Sequence, residues 1–200
     1  EPPQLTSAQQ FNYSINEGDS LCIPISFVDL EGDSIFITHS GLIFDSLLFN
    51  PPAILNDNNG LGTDSTEFCW VTTCETGGPN VYSFTVQASD NGCPPKSNFF
   101  VYNIDVIPVI TNAQIIGPDT ICDPTAGPFM FYVINGDSTP LNNHWQVTNG
   151  TIVSNPLSDT ILVNNVSNPL TVSFSEYGTN GCESDAQVHP VIIGTNPQIN

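Results

Sequence analysis

Positive charge is almost absent from this chain. Its 200 residues include twenty acidic side chains, one lysine (Lys96) and no arginine, giving a formal net charge of −19. Nucleic acids and anionic membrane surfaces are bound by clustered Lys and Arg, so we expect neither as a partner. The shortage of Lys and Arg also leaves few of the side chains that usually bind phosphate and carboxylate substrates. Such a surface attracts cations, and its simplest effect is solubility through mutual repulsion.

Long hydrophobic runs and targeting signals are also missing. No apolar run reaches the length of about 18 residues that a membrane-spanning helix needs, so direct membrane insertion is not expected. The sequence begins at Glu1, without a Met, a basic region or the apolar core of a signal peptide. We therefore interpret the chain as a piece of a longer exported protein.

Helical periodicity is absent, and turn signals recur at short intervals. The chain carries 15 Gly and 17 Pro spread along its length, together with twelve Phe that can fill a core. This composition is typical of many short strands joined by turns. The sequence predicts an all-β fold of two tandem immunoglobulin-like β-sandwich domains, with a boundary where FFVYNIDVIPVI ends its strand at Pro108. The predicted segments are 1–108, 109–194 and a linker to a following domain, 195–200.

The strand pattern is clearest where Val81, Phe84, Val86 and Ala88 mark one apolar face. In the first domain the sequence predicts strands at 9–15, 20–28, 33–40, 42–49, 65–72, 81–89 and 97–107. In the second domain it predicts strands at 112–116, 128–134, 143–149, 160–166, 169–176 and 184–193. Both tryptophans, Trp70 and Trp145, are expected in the cores.

The six cysteines indicate disulfides and an extracytoplasmic location. None forms a C-x-x-C pair, and no His lies near enough in sequence to complete a zinc site. The four cysteines of the first domain allow three connectivities, and an assumed immunoglobulin-like strand order selects among them. In that order Cys22 and Cys74 lie at one end of the sandwich, and Cys69 and Cys93 lie towards the other end. The two members of each pair are then within reach of a disulfide. The predicted pairs are Cys22–Cys74, Cys69–Cys93 and Cys122–Cys182.

Acidic turns of the first domain form a candidate calcium site. In the assumed strand order, three loops converge at one end of this domain, and calcium needs six to eight oxygen ligands. The alternative is that Asp, Asn and Gly stand in these turns for local backbone reasons alone. No cofactor is required by the fold, and calcium is the one ion that we consider. The candidate ligands are Asp29, Glu31, Asp33, Asp57, Asp64, Asp90 and Asn91.

Several motifs resemble repeats of giant surface proteins from Bacteroidota. The segments FVDLEGDSI, EFCWVTTC, FTVQASDNGCPP and NIDVIPV resemble their cadherin-like and immunoglobulin-like repeats. The segments HWQVTNGTI, ILVNNV and TNGCES resemble their PKD-like repeats, although Asn149 stands where the usual pattern has a second glycine. The resemblance covers nearly the whole chain. It implies a gliding-motility adhesin or a related cargo of the type IX secretion system, exported to the cell surface and attached to the outer membrane.

The same resemblance implies O-glycosylation. Proteins of that lineage are modified at Asp followed by Ser or Thr and then a small or aliphatic residue. The alternative is that Asp-Ser and Asp-Thr are common turn and strand-entry pairs. The candidate sites are Ser20, Ser34, Ser46, Ser65, Thr120, Ser138 and Thr160.

Enzyme function is not predicted. The histidines His39, His144 and His189 are scattered and lack the motif context of a nucleophile or a base. The predicted function is a non-catalytic structural and adhesive repeat segment of a large secreted surface adhesin or filament. Its partners would be neighbouring repeats of the same chain, surface polysaccharide, or the secretion and gliding machinery.

The alternative function is a carbohydrate- or ligand-binding module of a secreted multidomain protein. It needs aromatic side chains exposed on one sheet face or in the loops. The candidates are Phe44, Phe49, Trp70, Tyr82, Phe99, Phe100 and Tyr102.

Overall fold

The computed structural model describes residues 1–7, 10–136 and 142–194. The chain divides into two compact units, Glu1–Pro108 and Val109–Asn200, each with its own hydrophobic core. Both units consist of β-strands, so the predicted all-β sandwich fold is confirmed. None of the helices in the described ranges is long and apolar enough to span a membrane. The predicted linker, 195–200, lies outside the described residues.

The first unit contains two sheets. One sheet has the order β1-β3-β7-β5 and the other has the order β2-β9-β8-β4-β6. Strand β2 runs parallel to β9, and the other neighbours are antiparallel. The strands are β1 (Gln4–Leu5), β2 (Asn12–Asn16), β3 (Ser20–Val28), β4 (Ser34–Ser40), β5 (Ile54–Leu55), β6 (Asn58–Leu61), β7 (Thr63–Val71), β8 (Val81–Asp90) and β9 (Ser97–Ile107).

The two sheets pack face to face through the buried side chains that alternate along their strands. In β8, Phe84, Val86 and Ala88 are buried, and the residues between them are less buried, as expected for a strand with one face on the core. The ring of Phe84 stacks on Phe68 of the other sheet, with ring centroids 4.2 Å apart. It also stacks on Tyr102 of β9 at 5.0 Å. This aromatic stack forms the centre of the first core.

The segment predicted as a strand at 42–49 is different in the structure. It begins with one turn of 3-10 helix, Leu42–Phe44, and continues as turns. Its apolar residues do not alternate, and Asp45 bonds the local backbone instead of a neighbouring strand. The Asp45 side chain accepts a hydrogen bond from the Leu47 amide, and its carbonyl accepts from the Phe49 amide. A side chain that competes for backbone groups in this way favours a turn.

The second unit also contains two four-stranded sheets, with the orders β10-β12-β15-β14 and β11-β17-β16-β13. Its core includes Trp145, which packs against Phe174 at 4.8 Å and donates its indole N–H to the carbonyl of Ser158. The strands are β10 (Gln114–Ile116), β11 (Thr120–Ile121), β12 (Phe129–Ile134), β13 (Asn143–Thr148), β14 (Thr151–Ile152), β15 (Thr160–Asn164), β16 (Leu170–Glu176) and β17 (Gln187–Ile193).

The cysteine pairing differs from the prediction. A disulfide joins Cys22 of β3 to Cys69 of β7, whose Cα atoms are 4.2 Å apart. The two residues lie directly opposite each other in the antiparallel ladder. The prediction placed them at different ends of the sandwich. However, Cys69 lies near the end of β7 and Cys22 near the start of β3, and in antiparallel strands these positions meet.

All three predicted pairs are therefore wrong. The pairs Cys22–Cys74 and Cys69–Cys93 are excluded because their first members bond to each other. The thiol of Cys93 is free and exposed in the turn between β8 and β9. The thiol of Cys122 is also free and exposed, which excludes Cys122–Cys182.

Candidate cation site

Two acidic turns meet at one end of the first unit. The turn 29–33 connects β3 to β4, and the turn 91–96 connects β8 to β9. Strands β4 and β8 are paired, with Ile35 opposite Asp90, so the two turns lie side by side. The Asn91 side chain accepts a hydrogen bond from the Ser34 amide at 2.9 Å and links the two turns. The register of this strand pair therefore positions the acidic groups.

Asp29 is buried at the entrance of the first turn, with 4% of its surface exposed. Its Oδ1 accepts hydrogen bonds from the amides of Glu31 at 2.8 Å and Asp33 at 3.2 Å. Its Oδ2 is buried and has no hydrogen-bond partner among the described residues. A buried carboxylate oxygen without a donor is costly, which makes it a candidate ligand for a cation.

Asp90 repeats this arrangement in the second turn. It is also 4% exposed, and its Oδ1 accepts from the amides of Gly92 at 3.0 Å and Lys96 at 2.9 Å. Its Oδ2 is buried and, within the described ranges, unpartnered. Each turn therefore holds its carboxylate by one oxygen and leaves the other oxygen available.

The remaining acids of the two turns lie close to these carboxylates. One ligand oxygen each from Asp29, Glu31 and Asp33 falls within 4.8 Å of the others. Gly92 brings the second turn near: a Cβ on this glycine would lie 2.8 Å from Asp33 Oδ2 and 3.2 Å from Asp90 Oδ1. The glycine thus leaves the space in which the two carboxylates approach each other.

The single lysine of the chain lies at this acidic end. The Lys96 ammonium is 3.3 Å from Glu31 Oε2. The Lys96 and Glu31 side chains are 40% and 53% exposed, so solvent screens the pair and we assign it little stability.

Two of the candidate ligands lie apart from this group. Asp57 pairs with His39, and its Oδ1 lies 2.6 Å from His39 Nδ1. It immediately precedes β6, whereas the other end of β6 lies beside the turn 29–33. Asp64 faces inward opposite Phe27 and lines a cleft with Thr6 and Ser26. The prediction placed Asp57 and Asp64 in converging loops, whereas the structure has strands at Asn58–Leu61 and Thr63–Val71, so that Asp57 precedes β6 and Asp64 lies within β7.

The donor set of the two turns fits a hard cation. Asp29 and Asp90 offer free buried oxygens, and Asp33 and Glu31 add carboxylates at the rim. Calcium accepts such carboxylate and carbonyl oxygens in flexible geometry, with water completing the shell. A second acidic group, Glu67 with Cys22 and Cys69, does not offer thiolates because its cysteines form the disulfide.

A polar cluster of the second unit was not predicted from the sequence. Glu183 lies between two partners: its Oε1 accepts from the Ser175 hydroxyl and lies 2.5 Å from His144 Nδ1. The Ser175 hydrogen bond, followed by the His144 one, lowers the pKa of Glu183. In a nucleophilic triad the His contacts the Ser, whereas here the Ser175 hydroxyl donates to Glu183, which lies between it and His144. No sequence spacing signalled the cluster, because it depends on His144 lying opposite Ser175 across β13 and β16.

The aromatic candidates for carbohydrate binding divide into two groups. Phe99, on β9, is 63% exposed. The other six belong to the first core or pack against it: Phe44, Phe49, Trp70, Tyr82, Phe100 and Tyr102.

The glycosylation candidates lie mostly at the surface. Four are exposed: Ser20, Ser46, Ser65 and Thr120. Ser34 and Thr160, at the first positions of β4 and β15, are half-buried. Ser138 lies outside the described residues.

No protein-family model and no curated protein matches the chain. Similar solved structures include repeats EC22–24 of mouse cadherin-23, with 18% identity, a TM-score of 0.40 and coverage of 97% of this chain and 66% of that one. Drosophila N-cadherin EC1–4 is 13% identical, with a TM-score of 0.40 and coverage of 98% and 49%. The sialic acid binding region of a Streptococcus sanguinis SK1 adhesin is 10% identical, with a TM-score of 0.39 and coverage of 98% and 78%.

These neighbours are adhesion-type repeat domains. The chain spans 66% of the cadherin-23 fragment and 32% of the protocadherin GammaB4 extracellular domain, which is 14% identical with a TM-score of 0.37. At such identities the likeness concerns the fold alone. The function is therefore argued from the residues of this chain.

Proposed function

We propose that the chain is a non-catalytic structural and adhesive repeat segment of a large exported surface protein. The observation that supports this most is the pair of buried carboxylates, Asp29 and Asp90, at one end of a disulfide-linked sandwich. Groups placed in this way suit a structural ion that rigidifies the end of a repeat. The strongly acidic surface suits a protein that works outside the cell and avoids association with its own copies.

The structural ion in this proposal is calcium. It binds between the turns 29–33 and 91–96, where Asp29 Oδ2 and Asp90 Oδ2 supply the inner ligands and Asp33 and Glu31 the outer ones. Binding would offset the cost of two unpartnered buried oxygens and the repulsion between neighbouring carboxylates. A ligand that binds only the folded state stabilises it by about 2.7 kcal/mol when its concentration is a hundredfold above its Kd.

The calcium test uses isosteric variants of the whole chain. Asp29→Asn and Asp90→Asn keep the oxygen that accepts the turn amides and replace the free oxygen with an amide NH₂. We expect calcium, at constant ionic strength, to raise the melting temperature of the wild type and to have little effect on either variant. Isothermal titration calorimetry should give one site for the wild type and lost or strongly weakened binding for the variants.

Asp105→Asn is the matched control, since Asp105 is an exposed acid of β9 in the same unit. This variant removes the same charge and should retain the full calcium response. An equal response in Asp29→Asn and in the wild type would contradict the proposed site. A wild type whose melting temperature does not respond to calcium would contradict the ion itself.

We propose the finer assignment from the sequence resemblance. The protein would be a gliding-motility or attachment adhesin of a Bacteroidota cell surface, exported by the type IX system and O-glycosylated. The exposure of Ser20, Ser46, Ser65 and Thr120 supports modification at these positions. Mass spectrometry of protein from the native host should give a mass above that of the bare sequence, with glycopeptides at Asp-Ser or Asp-Thr triplets. An intact mass equal to the bare sequence would refute glycosylation.

A further inference from the structure

Part of the outer face of the larger sheet in the first unit carries aromatic and uncharged polar side chains. Two rows of side chains cross strands β4, β8 and β9 on this side. Phe36 lies opposite Ser89, which lies opposite Ser97. In the next row Thr38 lies opposite Gln87, which lies opposite Phe99. We call these six residues the Phe36–Phe99 face.

The Phe36–Phe99 face presents two aromatic rings among uncharged polar groups. Phe99 is 63% exposed and Phe36 is 40% exposed. Neighbouring strands lie about 4.8 Å apart and the two rows about 6.7 Å apart along the strands, so Phe36 and Phe99, on the outer strands of three and in different rows, are separated by roughly 12 Å on the backbone. Hydroxyl and amide side chains stand between them. Beside Phe36, a shallow cleft of about 190 Å³ is lined by Ser34, Asn59 and Leu61.

None of the six residues is ionisable, although the chain carries twenty acids. A neutral face offers no attraction to ions or to a charged ligand. Its hydroxyl and amide groups both donate and accept hydrogen bonds, which matches the alcohol groups of sugars. The rings offer flat apolar surfaces on which the C–H face of a pyranose can stack. The face is thus complementary in charge and in hydrogen bonding to an uncharged polysaccharide.

A second copy of the chain fits this face less well. Protein interfaces are depleted of Ser, and their fully buried core is more apolar than the rest of the surface. Here the polar groups of Gln87 and Ser89 separate the two rings. Two copies would also bring together chains of net charge −19 each, which repel one another.

We propose that the Phe36–Phe99 face binds a neutral polysaccharide, with Phe36 and Phe99 stacking on two sugar rings of one chain. The polar groups of Thr38, Gln87, Ser89 and Ser97 hydrogen-bond to the hydroxyls between those rings. This inference rests on the adhesive function proposed above, for which it names the ligand class and the contact surface. The site requires no calcium, because the acidic turns lie beyond the two rows.

The test is native affinity electrophoresis of the whole chain in gels containing one polysaccharide each. The neutral probes are a soluble β-1,3-glucan, a β-1,4-glucan derivative, dextran and galactomannan, and the acidic probe is polygalacturonate. We expect at least one neutral probe to retard the wild type and polygalacturonate to have no effect. Phe99→Ala and Phe36→Ala should each weaken the apparent affinity at least tenfold, while their melting temperatures show that they fold.

Ile54→Ala is the matched control, since Ile54 is an exposed apolar residue on the other sheet of the same unit. It should leave the retardation unchanged. Failure of all four neutral probes to retard the folded wild type would overturn the proposal, and so would retardation that survives both Phe substitutions. A dimer in sedimentation equilibrium that Phe99→Ala abolishes would also overturn it, in favour of a second copy.

The test of the polysaccharide site can fail independently of the test of the calcium-binding repeat. Asp29→Asn should bind the polysaccharide as the wild type does while losing its calcium response. A chain that responds to calcium but is not retarded by any neutral probe refutes the glycan surface and leaves the calcium-stiffened repeat intact.

Discussion

The Tyr102 side chain combines a well-packed ring with a buried hydroxyl that lowers the free energy of unfolding. Its ring lies in the aromatic stack of the first core, 5.3 Å from Phe11 and 5.0 Å from Phe84. Its hydroxyl is buried and has no hydrogen-bond partner among the described residues. The pKa of Tyr102 is raised to about 12. Burial is the larger cause, and the electrostatic interaction with Tyr13 is the smaller one. The ring therefore stabilises the core, and the hydroxyl does not.

We expect Tyr102→Phe to leave the free energy of unfolding unchanged or to raise it slightly at pH 7. The substitution keeps the ring and removes an unsatisfied polar group, which costs about 1–3 kcal/mol where it is fully buried. A raised pKa in the folded state means that stability is complete below the unfolded value near 10 and declines as the pH rises towards 12. The variant should lose part of this alkaline decline. Urea denaturation at pH 7 and pH 11 measures both effects.

The control is Tyr82→Phe, because the Tyr82 hydroxyl donates to the Thr76 carbonyl at 2.8 Å. Removing this donor leaves the carbonyl of the buried Thr76 without this partner, so a loss of about 1 kcal/mol is expected. If Tyr102→Phe were the more destabilising of the two, the hydroxyl of Tyr102 would have a stabilising partner.

At the scale of the strands, alternation predicted most of the fold. The bounds Ser20–Val28 and Ser97–Ile107 coincide with the predicted strands, and burial alternates along both of them. The two-residue strands β1, β5, β11 and β14 were missed, since two residues cannot display a period. Their positions depend on pairing with longer neighbours.

The candidate site was predictable only in part. The acidic turns stand out in the sequence, and Asp29, Glu31, Asp33 and Asp90 do come together. Which carboxylates become buried, and which oxygen stays free, depends on amide directions within each turn. The error in the cysteine pairing has a similar origin. Strand order predicted which strands are near, but the register of β3 and β7 selects Cys69 as the partner of Cys22.

The disulfide should contribute strongly to the stability of the first unit. It joins the two longest strands of its sheet and closes a loop with a sequence separation of 47. In the chain-entropy account, a loop of that length raises the free energy of the unfolded state by about 4 kcal/mol. The double variant Cys22→Ala/Cys69→Ala should therefore lose about that much free energy of unfolding, measured by denaturation under non-reducing conditions.

The matched control is Cys93→Ala/Cys122→Ala, which removes two exposed free thiols. It should change stability by less than about 0.5 kcal/mol, as is usual for surface substitutions. Peptide mapping without reduction should return the Cys22–Cys69 bond, with Cys93 and Cys122 open to alkylation. Equal losses in the two double variants would contradict the assigned bond.

At the scale of the whole molecule, charge opposes folding. The twenty acidic side chains, balanced by only one lysine, repel one another in the compact state, and the repulsion weakens as the chain expands. The neutral Phe36–Phe99 face and the acidic turns respond differently to ions: the face has no charge to screen, whereas the turns gather several carboxylates. Salt should therefore act through general screening, and calcium should act in addition through the turns.

Raising NaCl from about 0.01 M to about 0.15 M shortens the screening length from roughly 30 Å to roughly 8 Å. We expect the melting temperature of the wild type to rise over this range, and KCl to have the same effect because screening does not depend on the identity of the ion. The variant Glu67→Gln/Asp105→Asn/Asp185→Asn removes three exposed charges and should show a smaller rise. Calcium added at a constant ionic strength should still raise the melting temperature of this variant, because Asp29 and Asp90 are intact. A melting temperature that is indifferent to NaCl would mean that the acids are too well solvated to repel one another, and the calcium response would then measure the site alone.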